Sequence, residues 1–215
     1  MKNSLRIILI LFCYLNAFGQ QTVKDSDTNK SKNQSPQPQT STTSNNTVPV
    51  SGEEYRVYAV VLRKVKGTLI IKDKTDVDKD SKDIKMLEKR GLEPFLKKIE
   101  SEAMADFLAK NETHSTLEKK FPPDIEFNFI SNEELKANFA YKFDGEMNWE
   151  SFREKYPKAG NIYTLSNVGF SEDSNQALVF VTNWCGYTCG EGNYYILKKL
   201  NGEWEVVDSL MTWIS

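Results

Sequence analysis

Histidine is almost missing from this chain: His114 is the only one in 215 residues. A Ser–His or Cys–His nucleophile would have to use it. It sits in the polar run Asn-Glu-Thr-His-Ser-Thr, the setting of an ordinary solvated side chain. Structural zinc usually needs four Cys or His ligands, and after export the chain offers Cys185, Cys189 and His114. No G-x-S-x-G elbow, Gly-rich phosphate loop, dinucleotide fingerprint or H-E-x-x-H helix is present. No metal or other cofactor is therefore implied. An excess of positive charge is lacking too, with 28 Lys and Arg against 30 Asp and Glu. Without a basic stripe there is no general pull toward nucleic acid or anionic lipid. Lys97-Lys98 and Lys119-Lys120 mark solvated faces. The acids supply many pairs for a glycosidase-type mechanism, but nothing in the sequence selects one.

The N-terminus carries the one segment with an address. Lys2 and Arg6 are the only charges in residues 1–19, and Ile7 to Phe18 is mostly apolar. Ala17-Phe18-Gly19 then presents small residues where a signal peptidase reads them, which predicts cleavage before Gln20. The apolar stretch is about a dozen residues, short of the ~20 that span a bilayer as a helix, so no stable membrane span is expected afterwards. Lipid attachment at Cys13 is disfavoured by the large Phe12 before it. Loss of the leader takes the net charge from −2 to −4. Residues 20–50 are Ser, Thr, Asn, Gln, Lys and Pro with almost no large apolar side chain, a composition that predicts a disordered linker. Its root-mean-square span is about 30 Å, which suits a spacer as well as a neutral tail.

Residues 51–215 hold nearly all the aromatics and form one globular domain in this reading. Ser51 and Glu54 make a capping box for a helix that aligns Tyr55, Tyr58, Val61 and Leu62, although the β-branched content of the stretch also suits a strand. Thr68–Lys72 reads as a short strand, followed by a charged loop through Lys82. A helix is expected over Leu92–Lys110, with Leu92, Phe95, Leu96, Ile99, Ala103, Phe107 and Leu108 on one stripe, Pro94 in its first turn and Asn111 as terminator. Ile125, Phe127 and Phe129 alternate with polar residues as a half-buried strand. Ser131 with Glu134, and Asn148, open two further helices. The second aligns Trp149, Phe152 and Tyr156 and stops at Pro157; such a stripe is more often core than the lining of a ligand groove. Four β-rich runs close the chain: Ile162–Phe170, Gln176–Trp184, Asn193–Leu200 and Trp204–Ile214. Asn201-Gly202 suits a type I′ hairpin turn between the last two. The class is α+β, with helices on one face of a curved antiparallel sheet that ends in a four-stranded meander. A cone of the nuclear transport factor 2 type is one architecture consistent with this order.

Cys185 and Cys189 flank Gly186-Tyr187-Thr188 between two of these runs. Facing each other at the head of a hairpin, they would fall within disulfide reach. The closed loop is small, so the chain-entropy model gives only about 2 kcal/mol, enough to pin a turn. Trp184-Cys185-Gly186 also resembles the start of a thioredoxin active site. That motif, however, spaces its cysteines by two residues and leads into a helix that lowers the thiol pKa; here there are three, and a strand is expected next. Trp184, Tyr187, Tyr194 and Tyr195 cluster around the turn. On a strand Tyr194 and Tyr195 point to opposite faces, so at least one belongs to the core. Trp184 and Tyr187 are the candidate contact residues.

Val168-Gly169-Phe170, Gln176-Ala177-Leu178-Val179, Cys185-Gly186, Cys189-Gly190, Gly192, Tyr195, Gly202, Trp204 and Trp213-Ile214-Ser215 together resemble a group of uncharacterised exported bacterial proteins. The likeness covers about the last fifty residues, with weaker echoes in Asp106-Phe107, Asn111 and Trp149–Pro157. It implies that the two Cys-Gly pairs belong to one motif and that the domain ends at Ser215, and it brings no catalytic residue. The expectation is an exported monomer, periplasmic or secreted, that binds an unknown protein or small ligand without catalysis. The alternative is a cofactor-independent hydrolase with carboxylates in a helix–sheet groove.

Overall fold

A computed structural model describes residues 49–77, 79–140 and 147–215. The expectations for the leader, for Cys13 and for all but the end of the linker lie outside those residues. What is described falls within one unit, Ser44–Ser215.

The first helix, α1 (Gly52–Leu62), starts where the sequence puts it. The Ser51 amide donates to Glu54 Oε2 at 2.6 Å and the Glu54 amide to Ser51 Oγ at 3.3 Å. Strand β1 (Leu69–Lys72) follows, then short helical turns α2 (Lys79–Lys82) and α3 (Ile84–Lys89). The charged stretch through Lys82 thus ends helically rather than as loop, and Asp83 caps α3 by accepting from the Met86 amide.

The single helix expected over Leu92–Lys110 is broken into α4 (Glu93–Leu96) and α5 (Ser101–Lys110). Gln176 accounts for the break. Its side chain, almost wholly buried, accepts from the Glu100 amide at 2.7 Å and donates to the Lys98 carbonyl at 3.1 Å. Those peptide groups lose their helical partners without being stranded. Glu100 is then free to turn extended and redirect α5.

Strand β2 (Phe127–Ile130), helices α6 (Asn132–Phe139) and α7 (Trp149–Lys155), and strands β3 (Ile162–Leu165), β4 (Gly169–Phe170), β5 (Gln176–Gly186), β6 (Cys189–Leu200) and β7 (Glu203–Ile214) complete the chain. The sheet runs β2-β1-β3-β5-β6-β7, with β4 also paired to β5. The run Ile162–Phe170 is split because Ser166 and Asn167 turn aside. The Ser166 hydroxyl accepts from the Phe180 amide, and Asn167 ties to the end of α5 through Asn111 and the Lys110 carbonyl.

The fold is α+β, and β3, β5, β6 and β7 form the antiparallel meander. Two features differ from the expected sheet. Strands β2, β1 and β3 are mutually parallel, which makes the sheet mixed, and it does not close on itself. Helices also cover both faces instead of one. Beneath α1 lie Leu69, Ile71, Leu165, Val179 and Leu197. The opposite face carries two separate clusters. One packs Leu178, Phe180, Tyr194 and Ile196 under Leu87, Phe95 and Phe107 of α3–α5. The other packs Ile70, Ile130 and Ile162 under Phe139, Trp149 and Phe152 of α6 and α7. Parallel strands require crossover connections, and these bring helices to the sheet.

Candidate functional site

Between those two clusters a strip of the sheet carries no helix among the described residues. Alternation along the strands places Ile70 and Lys72 of β1, Ile162 and Thr164 of β3, and Thr182 and Trp184 of β5 on this face. The register aligns them as neighbours, with Ile70 opposite Ile162, Ile162 opposite Trp184, and Thr164 opposite Thr182.

Two cavities open along the strip. The larger, about 410 Å³, is walled by Lys72, Leu135, Met147, Trp149, Ile162 and Trp184, with Gly186 and Tyr187 of the hairpin tip beside them. The second, about 290 Å³, shares Lys72 and Trp184 with it and adds Asp76, Thr164, Thr182 and Trp213 among its walls. The shared pair makes the two a single interrupted groove.

The hairpin tip supplies the outer wall. Strands β5 and β6 run to the turn itself, longer than the sequence suggested, and Gly186 pairs with Cys189 across a register shift at Cys185. Cys185 and Cys189 form a disulfide, with Cα atoms 5.1 Å apart. Helix α7 holds this tip from the other side. Arg153 Nη2 donates to the Cys185 carbonyl at 3.0 Å, and the Tyr187 hydroxyl donates to Glu150 Oε2 at 2.9 Å. The chain continues past Cys189 as β6, so the cysteines lack the following helix that depresses a thiol pKa.

Two glycines make room for the tryptophans of the groove. Gly190 and Gly192 alternate on β6, opposite Trp184 and Trp213 respectively. A Cβ on Gly190 would lie 2.9 Å from the Trp184 ring, and one on Gly192 would overlap the Trp213 indole. With no Cβ present, both indoles cross the strand and meet at a centroid distance of 5.0 Å, tilted by 38°. Trp184 and Tyr187 are 40 % and 50 % exposed. The two sequence-selected contact residues therefore stand on the open side of the larger cavity, while Trp149 forms its buried wall.

Tyr194 points into the core against Phe180 and Phe107, and the half-buried Tyr195 faces the other side of the sheet, as strand alternation requires. On that side a third cavity of about 250 Å³ contains Asn161, Tyr163, Asn183, Glu191 and Tyr195. Asn161 Nδ2 donates to Asn183 Oδ1, and Asn183 Nδ2 to Glu191 Oε1. Burial raises the Tyr163 phenol above its usual pKa, against a hydrogen bond from Asn161, and burial beside Glu191 does the same to Tyr195. His114 is a tie between loops: its Nδ1 lies 2.7 Å from the Thr75 carbonyl, where it donates. Among the described residues no group of three or more His, Cys, Asp or Glu could hold a metal, and no helix is long and apolar enough to cross a membrane.

Sequence reasoning overlooked Lys72 and the purpose of Gly190 and Gly192; it favoured the core for Trp149 over a groove lining, and the residue is both, buried and in the cavity wall. The Gly-x-Gly spacing opposite two tryptophans was the available signal. The class these observations define is an α+β domain with an aromatic groove beside a disulfide-bridged hairpin. No protein-family model, no curated protein and no solved structure matches the chain.

Proposed function

We propose that this chain is an exported binding module that holds a small ligand in the aromatic groove without transforming it. One observation carries the reading. The largest of the five cavities described is walled by Trp149, Trp184, Tyr187 and aliphatic side chains around one cation, with no carboxylate among the described residues that line it. Concave, mainly apolar sites with a few placed polar groups are the usual form of a ligand pocket. A hydrolase of the paired-carboxylate kind needs two acids facing one space. The walls of the five cavities described each carry at most one Asp or Glu, so the geometry favours binding.

Export is supported by the leader composition and by the disulfide, which persists in oxidising compartments. N-terminal sequencing of protein recovered outside the cytoplasm is expected to begin at Gln20, with both cysteines resistant to alkylation until reduced.

The groove is tested by titrating isotope-labelled protein with a panel of sugars, amino acids, short peptides and amphiphiles. Saturable shifts of the Trp184 and Trp213 indole signals are expected with the ligand recovered unchanged, and Trp184→Ala should abolish them. Turnover of any bound compound, or binding indifferent to Trp184→Ala, would overturn the reading.

A further inference from the structure

Lys72 is the last residue of β1, an interior strand, and its side chain shares the face of Ile70. It is half-buried and forms part of the wall between the two cavities. Among the described residues its side chain makes no ion pair, hydrogen bond or ring contact. Neighbouring cations are treated differently. Lys155 pairs with Glu134 at 3.2 Å, and Arg153 is spent on the Cys185 carbonyl and the face of Trp149. Among the described residues Lys72 is the only charged one in the wall of the larger cavity, and in the smaller one Asp76 accompanies it. Asp76 already accepts from the Val77 amide at 2.8 Å and lies 3.7 Å from His114.

A cation drawn partly out of water without a counter-charge is costly, and a bound anion would remove that cost. Lys72 is surrounded in the larger cavity by Leu135, Met147, Trp149, Ile162 and Trp184, which suit an apolar body and not a polyhydroxyl one. We propose that the groove takes a small amphiphilic anion, a carboxylate head on a hydrocarbon body, with Lys72 as its counter-ion at the junction of the two cavities. The head sits against the Lys72 ammonium, and the body fills the larger cavity beneath Trp184 and Tyr187. This rests on the groove being the binding site, and the variants below separate the two claims.

The test uses decanoate, decanol and decyltrimethylammonium as probes, titrated calorimetrically into the full exported chain. Decanoate is expected to bind about tenfold or more tightly than decanol, the scale of one charge-assisted contact, and the cationic probe weakest. Lys72→Met should bind decanoate and decanol alike, Lys72→Arg should keep the preference for the anion, and Trp184→Ala should weaken both probes. Thermal melts of each variant guard against misfolding, and Lys72→Gln, which also removes the charge, carries the test if Lys72→Met does not fold. Equal affinity of the wild-type chain for decanoate and decanol, with both lost in Trp184→Ala, would overturn the anion and leave the groove standing. Retention of the decanoate preference in Lys72→Met would overturn the role of Lys72. Failure of the wild-type chain to bind either probe would overturn the amphiphile.

Discussion

Gly192 shows how much of the groove depends on atoms that are not there. Its missing Cβ leaves room for the Trp213 indole, and an added Cβ would also lie 2.8 Å from Phe180 Cζ, a fully buried ring. Gly169 is the same device in a harder setting, since a Cβ there would overlap the backbone of Ala103 and Phe107 where α5 crosses β4. An indole at the sheet edge can swing aside, whereas helix backbone cannot. Gly192→Ala is therefore expected to cost about 1 kcal/mol and Gly169→Ala about 3 kcal/mol, the two ends of the overpacking range. Urea denaturation checks the order, and tryptophan emission of Gly192→Ala should shift to the red as Trp213 moves into water. A larger loss for Gly192→Ala than for Gly169→Ala would contradict the argument.

The β5–β6 hairpin is the element on which the groove depends most. Its tip is fastened three ways: by the Cys185–Cys189 disulfide, by Arg153 on the Cys185 carbonyl, and by Tyr187 on Glu150. The ring closed by the disulfide is short, so its chain-entropy contribution is about 2 kcal/mol. The strands behind it are long and paired through Gln176 opposite Lys198. Replacing both cysteines by serine is thus expected to lower global stability by about 2 kcal/mol while the rest of the sheet stays folded. Amide exchange should rise between Cys185 and Cys189 and stay unchanged in the β3–β5 pairing. Collapse of the whole sheet in the double variant would show that the bridge holds more than the turn.

Across the whole molecule, Glu53 joins elements far apart in sequence. Its Oε1 accepts from Lys199 Nζ and from Trp204 Nε1, each at 2.7 Å, and Arg56 pairs with its other oxygen, so the start of α1 is clamped to the β6–β7 hairpin. Burial works to raise its pKa, but the hydrogen bonds from Lys199 and Trp204 and the charges of Lys199 and Arg56 outweigh it, and the carboxyl lies below its ordinary value of 4.5. A group depressed on folding contributes stability above its unfolded pKa and loses it as the pH falls through the folded one. Glu53→Gln is expected to cost about 1 kcal/mol at neutral pH, since the contacts are charge-assisted but partly exposed. The gap to wild type should narrow between about pH 5 and pH 3. Asp208, held low by the Lys98 hydrogen bond against a small effect of burial, keeps an acid limb in the variant. Urea midpoints across that range measure the effect, and a gap independent of pH would refute it.

Local signals were enough for several elements. Ser51 with Glu54 and Asn148 cap the helices that follow them, and Asn111 ends α5. At α6 only half of the expected box forms: Ser131 caps the Glu134 amide, while the Glu134 carboxylate accepts from Lys155 and Tyr156. The Asn201-Gly202 turn has both residues at positive φ, at 53° and 86°, as a type I′ hairpin requires. The helical stripe over Leu92–Lys110 was real, yet it could not reveal that Gln176, far along the chain, would accept and donate at its middle. The candidate contact residues Trp184 and Tyr187 were visible as aromatics beside a cysteine turn. Lys72 was not, because one lysine at a strand end reads as solvated until its neighbours are known.

By itself the sequence determined where the chain bends, which residues alternate or spiral, and that two cysteines would close a turn. These depend on side chains within a few positions of one another, through capping bonds, φ preferences and short loop closure. Tertiary structure alone decided that β1 lies between β2 and β3 in parallel, that helices take both faces, and that Lys72 lines two cavities between the helical clusters. Such pairings join segments dozens of residues apart. They are chosen by which apolar surfaces can be buried together, a balance over the whole chain that no short stretch encodes.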